Sequence, residues 1–151
     1  MSTQNELLLV AKNPMTPPEI LDILSRHRSE KILECVAANP STATYTLTRL
    51  AGHQSAEVCM AVAENINTQF SDLAFLAFHE NPDVRFRLAE NPLLPVRLLE
   101  ELAQDDNPYI CKRAQCTLTL ALATERGAAT TNKDTLPLPH QSGSRGDRRH
   151  G

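Results

Sequence analysis

The sequence contains no tryptophan, and only 4% of its residues are aromatic. With so few large rings, Leu, Val and Ala must pack the core, as they do between thin helical layers. Apolar runs are also short, and none approaches the ~18 residues that a membrane-spanning helix needs. Residues 1–6 lack the basic and apolar regions of a secretory signal. We therefore expect a cytoplasmic protein whose cysteines are reduced thiols.

Catalytic signatures are missing as well. The five glycines do not form a loop that could cradle a phosphate. No nucleophile is accompanied by a base and an orienting group, as covalent catalysis requires. The formal net charge of −3 is too small to indicate a polyanionic partner by itself. We expect no enzyme activity, no cofactor and no metal.

A period of 26 residues organises the chain, and its four units are residues 10–35, 36–61, 62–87 and 88–113. Each unit is too small to bury its own apolar face, so the units must stack on one another. Within a unit, two apolar stripes of helical spacing are joined by a short link, and no segment shows strand-like alternation. The sequence predicts an all-α solenoid of helix–turn–helix units.

Equivalent positions of the units indicate where the helices end and begin. One column, which precedes proline in three units, holds Asn13, Asn39, Asn65 and Asn91. We expect these asparagines to close a helix in the left-handed conformation. N-caps of the next helix are predicted at Thr16, Thr42 and Thr68. N-caps of the second helix are predicted at Ser29, Ser55, Asn81 and Asn107.

The two ends of the repeat array differ from its middle. Residues 3–11 have the pattern of a single starting helix, with Thr3 as its N-cap. The last helix lacks the Asn-Pro stop, so it should run as a cap from Pro108 to about residue 126 and end at Gly127. The solenoid domain is then residues 1–127. Residues 128–151 are polar and aperiodic, and we expect a disordered tail.

The repeated pattern V-A-x-N-P-x-T-P, followed by I-L-x-x-L-A and V-x-x-x-V-A, resembles the variant leucine-rich repeat (LRV) family over about residues 3–123. The third unit departs most from it, with Ile66 in place of proline. The resemblance implies a right-handed superhelix similar to HEAT and armadillo repeats, of a bacterial type. It also allows one helix of each pair to be short or of 3₁₀ type.

One type of LRV protein holds a 4Fe–4S cluster through a cysteine-rich segment ahead of its repeats. In this chain the nine residues before the first unit contain no cysteine. The four cysteines are instead spread over the array, so they cannot hold one cluster. We expect them to be small hydrophobes on inner helix faces; they are Cys35, Cys59, Cys111 and Cys116.

A second column holds His27, His53, His79 and Asp105. Its members would lie about 8–10 Å apart in stacked layers. Two ligands of one zinc must each approach it to about 2.0–2.1 Å, so neighbours in this column cannot chelate together. Both residue types can instead accept hydrogen bonds from the free backbone N–H groups at a helix start. We expect that structural role.

All four phenylalanines belong to the third unit. Phe75 and Phe78 occupy columns that are mostly polar in the other units, so we expect them to form an exposed apolar pair. Grouped exposed aromatic residues indicate a binding surface. The alternative is that the two rings fill gaps left by Ile66 and Asp72, or pack under the tail.

Beside this pair the sequence has a basic group, which consists of Arg85, Arg87, Arg97, Lys112 and Arg113. Of these, Arg85, Arg87 and Arg113 are assigned to the candidate surface. We predict a protein–protein interaction or scaffold module that binds its partner on an extended face. One alternative is nucleic-acid binding by this basic stripe, aided by Arg145, Arg148 and Arg149. Acidic residues crowd the same two units, so a solvated face of mixed charge is a further interpretation. The remaining alternative is an iron–sulfur or redox protein.

Overall fold

A computed structural model describes residues 2–134, with side chains up to residue 127. All regular secondary structure in this range is helical, which confirms the predicted all-α class. The nine helices are α1 (Thr3–Lys12), α2 (Pro18–Leu24), α3 (Glu30–Ala38), α4 (Thr44–Ala51), α5 (Ala56–Glu64), α6 (Phe70–Ala77), α7 (Pro82–Ala89), α8 (Val96–Leu102) and α9 (Pro108–Asp134). None of the described helices combines the length and hydropathy that a membrane crossing needs.

The helices form two rows that follow the repeat. We call α2, α4, α6 and α8 the A helices, and α3, α5, α7 and α9 the B helices. Each B helix packs against the next B helix, and α1 begins this row by packing against α3. Among the A helices, α4 packs against α6 and α6 against α8. Helices two apart in sequence are therefore neighbours, as stacked units require, while the right-handed superhelix stays a prediction.

The core lies between the two rows. The fully buried B-helix column holds Ile32, Val58, Val84 and Ile110. Leu21, Leu47 and Leu99 are fully buried on the A helices, but the third unit departs from this pattern because Leu73 is only partly buried. The buried carboxylate of Asp72 lies nearby, and Thr48 Oγ1 donates to its Oδ2 over 2.7 Å. The irregular third unit therefore replaces some apolar packing with a hydrogen bond between α4 and α6.

Residues of the Asn column end α1, α3 and α5, but not in the predicted conformation, and α7 is ended by Glu90 rather than by Asn91. Asn39 has φ −73° and ψ 127°, and no described residue has a positive φ. Its side-chain amide instead reaches the previous turn, donating to the carbonyl oxygens of Ala11 (2.7 Å) and Asn13 (2.9 Å). Asn65 makes the same two contacts one unit later. Left-handed backbone is unnecessary because the side chain connects the units directly.

The Thr column is also displaced from its predicted role. The N-caps of α2, α4 and α6 are Pro17, Ala43 and Gln69, one residue after the threonines. The threonine hydroxyls donate backwards, to the last turn of the preceding helix, over 2.5–2.6 Å: Thr16 to Val10, Thr42 to Val36 and Thr68 to Val62. They satisfy carbonyl groups that a helix end leaves free.

The predicted N-caps of the B helices are confirmed at Ser29, Ser55 and Asn81. Asn107 occupies the equivalent place before Pro108, and its Oδ1 accepts from the Tyr109 N–H over 3.0 Å. Serine side chains make no such bond at Ser29 and Ser55. The position is therefore predictable, whereas the side-chain bond is specific to asparagine.

The ends of the helical array differ from the predicted bounds. Ser2, not Thr3, is the N-cap of α1. Helix α9 continues through Gly127 to Asp134, because an interior glycine weakens a helix by only about 1 kcal/mol and does not end it by itself. Residues 128–134 of the predicted disordered tail are thus helical. The rest of that tail, residues 135–151, lies outside the described residues.

Candidate functional site

The exposed phenylalanine pair lies at the end of an A helix. Phe75 is in the last turn of α6, and Phe78 is the residue that ends it. Their exposed fractions are 60% and 73%, as their mostly polar columns predict. The gap-filling alternative is wrong for both rings, because Ile66 is itself 80% exposed and Asp72 occupies its own buried place.

Two grooves meet at Phe78, along the edge formed by the links between A and B helices, and Phe75 lines one of them. One groove has a volume of about 490 Å³ and is lined by Gly52, His53, Gln54, Phe75, Phe78, His79 and Glu80. The other has a volume of about 400 Å³ and also includes Phe78, His79 and Glu80. The Phe78 ring therefore stands between two open depressions.

The side chains of the histidine column hydrogen-bond to the backbone at this edge. In His27, His53 and His79 the Nδ1 atom accepts the backbone N–H of the residue two positions later, each over 3.0 Å. Asp105 does the same with Oδ1, which accepts from the Asn107 N–H over 2.9 Å. The predicted structural role is confirmed. Among residues 2–127, no three His, Cys, Asp or Glu side chains are grouped so that they could hold a metal ion.

The Arg85 side chain is hydrogen-bonded within the fold. Its Nε donates to Asp105 Oδ2 over 2.8 Å, and its Nη2 to Oδ1 over 3.3 Å. Its Nη1 donates to the carbonyl oxygen of His79 over 2.7 Å. The guanidinium thus joins the third unit to the fourth. Arg85 also lines the groove that Phe78 borders, so its assignment to the partner-contact surface stays a prediction.

The other two arginines of the predicted stripe lie elsewhere. Arg87 pairs with Glu64 over 3.1 Å, and both side chains are about half exposed. It lines a third groove, of about 520 Å³, together with residues of α1, α3 and α5, and neither Phe75 nor Phe78 lines this groove. Arg113 is exposed on α9. The structure therefore does not gather the five predicted contact residues into one cleft.

The electrostatics of Asp105 follow from its surroundings. Burial alone would raise the pKa of this carboxyl group, but the hydrogen bonds from Arg85 and from the Asn107 N–H outweigh that effect. The pKa therefore lies below its usual value. Asp105 is therefore ionised at neutral pH, as its ion pair with Arg85 requires.

The four cysteines differ in burial. Burial raises the pKa of the Cys59 thiol, whose Sγ lies 3.1 Å from the carbonyl oxygen of His53. Cys35 is also buried, as predicted, whereas Cys111 is half-buried and Cys116 is exposed. The expectation of inner-face positions is therefore wrong for Cys116, which is exposed on α9.

A second apolar cluster was not identified from the sequence. Ile66, Phe70 and Leu93 are 80%, 47% and 82% exposed, and they line a groove of about 320 Å³ at the opposite end of α6. Ile66 stands where the other units have proline, and Leu93 shares a column with Met15, Ser41 and Asn67. These two residues, which differ from most of their columns, were the sequence features that could have indicated the cluster. The third and fourth units thus carry apolar surface at both edges.

Comparison of the chain with protein-family models, with curated proteins and with solved structures gives no match. The LRV resemblance therefore rests on the repeat pattern alone.

Proposed function

We propose that this chain is a non-catalytic, LRV-type solenoid that acts as a cytoplasmic protein-interaction module. Its contact surface is centred on Phe75 and Phe78, at the link edge of the third unit. The observation that carries the proposal is the exposure of these two neighbouring rings, 60% and 73%, beside two grooves. Exposed aromatic residues that border a concavity are typical anchors of protein interfaces.

The apolar surface of the two rings can supply part of the binding free energy. Covering both rings would remove roughly 250 Å² of apolar surface from water, worth about 6 kcal/mol before the costs of association. Those costs are large, and only the surplus appears as affinity. Two rings therefore support an anchor point, to which flanking polar contacts must add.

The site is also held in place before a partner arrives. His79 accepts from the Asn81 N–H at the link, and Arg85 donates to the His79 carbonyl oxygen and to Asp105. These bonds fix the link that carries Phe78. A preformed surface loses little conformational entropy on binding, which favours association.

The nucleic-acid alternative gains less support from the contacts. Arg85 and Arg87 are already paired with Asp105 and Glu64. Binding a phosphate with either side chain would leave a carboxylate without its partner. Of the predicted basic group, Arg97, Lys112 and Arg113 are exposed and form no ion pair with a described carboxylate, so the loss of a carboxylate partner applies only to Arg85 and Arg87.

Affinity capture from a lysate of the native host tests the proposal, with and without nuclease. The bait proteins are the wild type, Phe75→Ala/Phe78→Ala, and Met15→Ala as a control. Met15 suits this purpose because it is 84% exposed and lies in the first unit. We expect a partner protein that survives nuclease, is retained by Met15→Ala and is lost with the double variant. Equal retention by all three baits would contradict the proposal.

A further inference from the structure

Acidic residues flank the phenylalanine pair on the side of the fourth unit. Glu101 occupies the Phe75 column one unit later, and it is exposed. Glu80 and Asp106 occupy another column of the same edge, and both are exposed. All three carboxylates line the groove that Phe78 borders. None of them forms an ion pair with another described side chain.

Two arginines near the pair, Arg85 and Arg49, contact other groups of the protein. Arg85 lines the same groove, but its charge is taken up by Asp105. Arg49 precedes Phe75 by one unit, and its guanidinium contacts the carboxylate of Asp22 and the Ser25 hydroxyl. The apolar pair therefore borders a surface where negative charge is not neutralised by the protein itself.

We infer that the occupant of this groove is a basic segment of a partner protein, with Lys or Arg next to an apolar side chain. This inference rests on the proposed function and names the partner's chemistry. The apolar side chain would cover Phe75 and Phe78, and the cation would lie near Glu80, Glu101 and Asp106. A guanidinium can also stack on a phenylalanine ring. Charge complementarity of this kind selects partners and speeds association.

The same carboxylates disfavour a polyanion. A phosphate chain laid over the phenylalanine pair would meet Glu80, Glu101 and Asp106 at short range, and like charges placed together are costly. Stacking of bases on the rings would have to overcome that repulsion. The observations thus favour a basic polypeptide over single-stranded nucleic acid.

Selection from a displayed library of random peptides tests the inference. Peptides are selected on the wild-type protein and counter-selected on Phe75→Ala/Phe78→Ala, so that those retained depend on the pair. We expect their sequences to be rich in Lys or Arg next to apolar residues. Neutral or acidic peptides would overturn the inference and leave the proposed function standing. No peptide that depends on the pair would contradict both.

Titration of the best peptide with a charge-reversed variant completes the test. Glu80→Lys/Glu101→Lys/Asp106→Lys should weaken binding by about tenfold or more. The control Glu6→Lys/Glu19→Lys/Glu30→Lys changes the net charge equally at exposed sites of α1, α2 and α3. It should change binding by no more than about twofold, because salt screens distant charges. Equal weakening by both variants would overturn the inference.

Two further probes test whether another ligand occupies the groove more tightly than the selected peptide. One is a synthetic peptide of residues 135–151, which include Arg145, Arg148 and Arg149. The other is a single-stranded oligonucleotide. We expect the selected peptide to bind more tightly than either. Tighter binding of the oligonucleotide, or of the chain's own residues 135–151, would overturn the assignment to a partner protein.

Discussion

The guanidinium of Arg85 and the carboxylate of Asp105 face each other across the boundary between the third and fourth units. The two contacts measure 2.8 Å and 3.3 Å, and the side chains are 19% and 9% exposed. A pair so well covered differs from a surface ion pair, because removing one partner leaves the other charge desolvated. The relationship explains why a residue that resembled a contact arginine in sequence belongs to the scaffold.

Replacing Arg85 should therefore destabilise the fold. We expect Arg85→Ala to lower the free energy of unfolding by about 2–3 kcal/mol, through the lost charged hydrogen bonds and the uncompensated Asp105. Arg87→Ala is the matched control, because its pair with Glu64 is about half exposed; its effect should stay below about 1 kcal/mol. Urea denaturation measures both, and effects of equal size would contradict the scaffold role.

The same pair predicts a pH dependence of stability. The pKa of Asp105 is depressed in the folded protein relative to its ordinary value of 3.8. Its contribution to stability is complete above pH 3.8 and is lost as the pH falls through the lower folded pKa. The stability difference between wild type and Asp105→Asn should therefore shrink in acid. Urea denaturation at pH 7 and near pH 3 measures it, and a constant difference would contradict the pairing.

The Asn column should contribute strongly where it is buried. Asn39 is 3% exposed, donates to Ala11 and Asn13, and accepts from the Ser41 N–H over 2.9 Å. We expect Asn39→Ala to cost about 2–3 kcal/mol of unfolding free energy, because two carbonyl groups lose their donor. The exposed Asn13 of the same column is the control. Calorimetry of both variants would contradict the account if Asn13→Ala cost as much.

The histidine column predicts that aspartate can replace His27. His27 Nδ1 accepts from the Ser29 N–H, and Asp105 performs the same role in the fourth unit. His27→Asp should thus keep the free energy of unfolding within about 0.5 kcal/mol, whereas His27→Ala should lose about 1 kcal/mol, as at other caps. Thermal unfolding at neutral pH compares them. If aspartate were as damaging as alanine, the imidazole would have another role.

Much of the fold could be predicted because its causes are periodic. Apolar stripes of helical spacing and the Asn-Pro stops determine the all-α class and where the helices end. The side-chain hydrogen bonds were harder to predict, because an amide such as that of Asn39 can donate to its own turn or to the previous unit. The spacing of residues in the sequence does not distinguish between these two partners. The displacement of the threonine caps by one residue has the same origin, since a hydroxyl can bond forwards or backwards.

The candidate site was predicted only in part. Exposure of Phe75 and Phe78 followed from the polar character of their columns. The role of Arg85 did not follow, although a signal was present. Its column holds Cys59 and Cys111, both of which lie against link carbonyl groups, and Asp105 replaces a histidine in the next unit. An arginine and an aspartate that each depart from their columns in adjacent units indicate an ion pair between those units.

Photo-crosslinking from position 78 tests the central claim most directly. Phe78→p-benzoylphenylalanine places a photoreactive ring where the partner should contact the protein, and the same substitution at Met15 is the control. We expect irradiation of the native host's cells to give a nuclease-resistant protein adduct from position 78 and none from position 15. Adducts from position 15 alone, or an adduct to nucleic acid at position 78, would contradict the account.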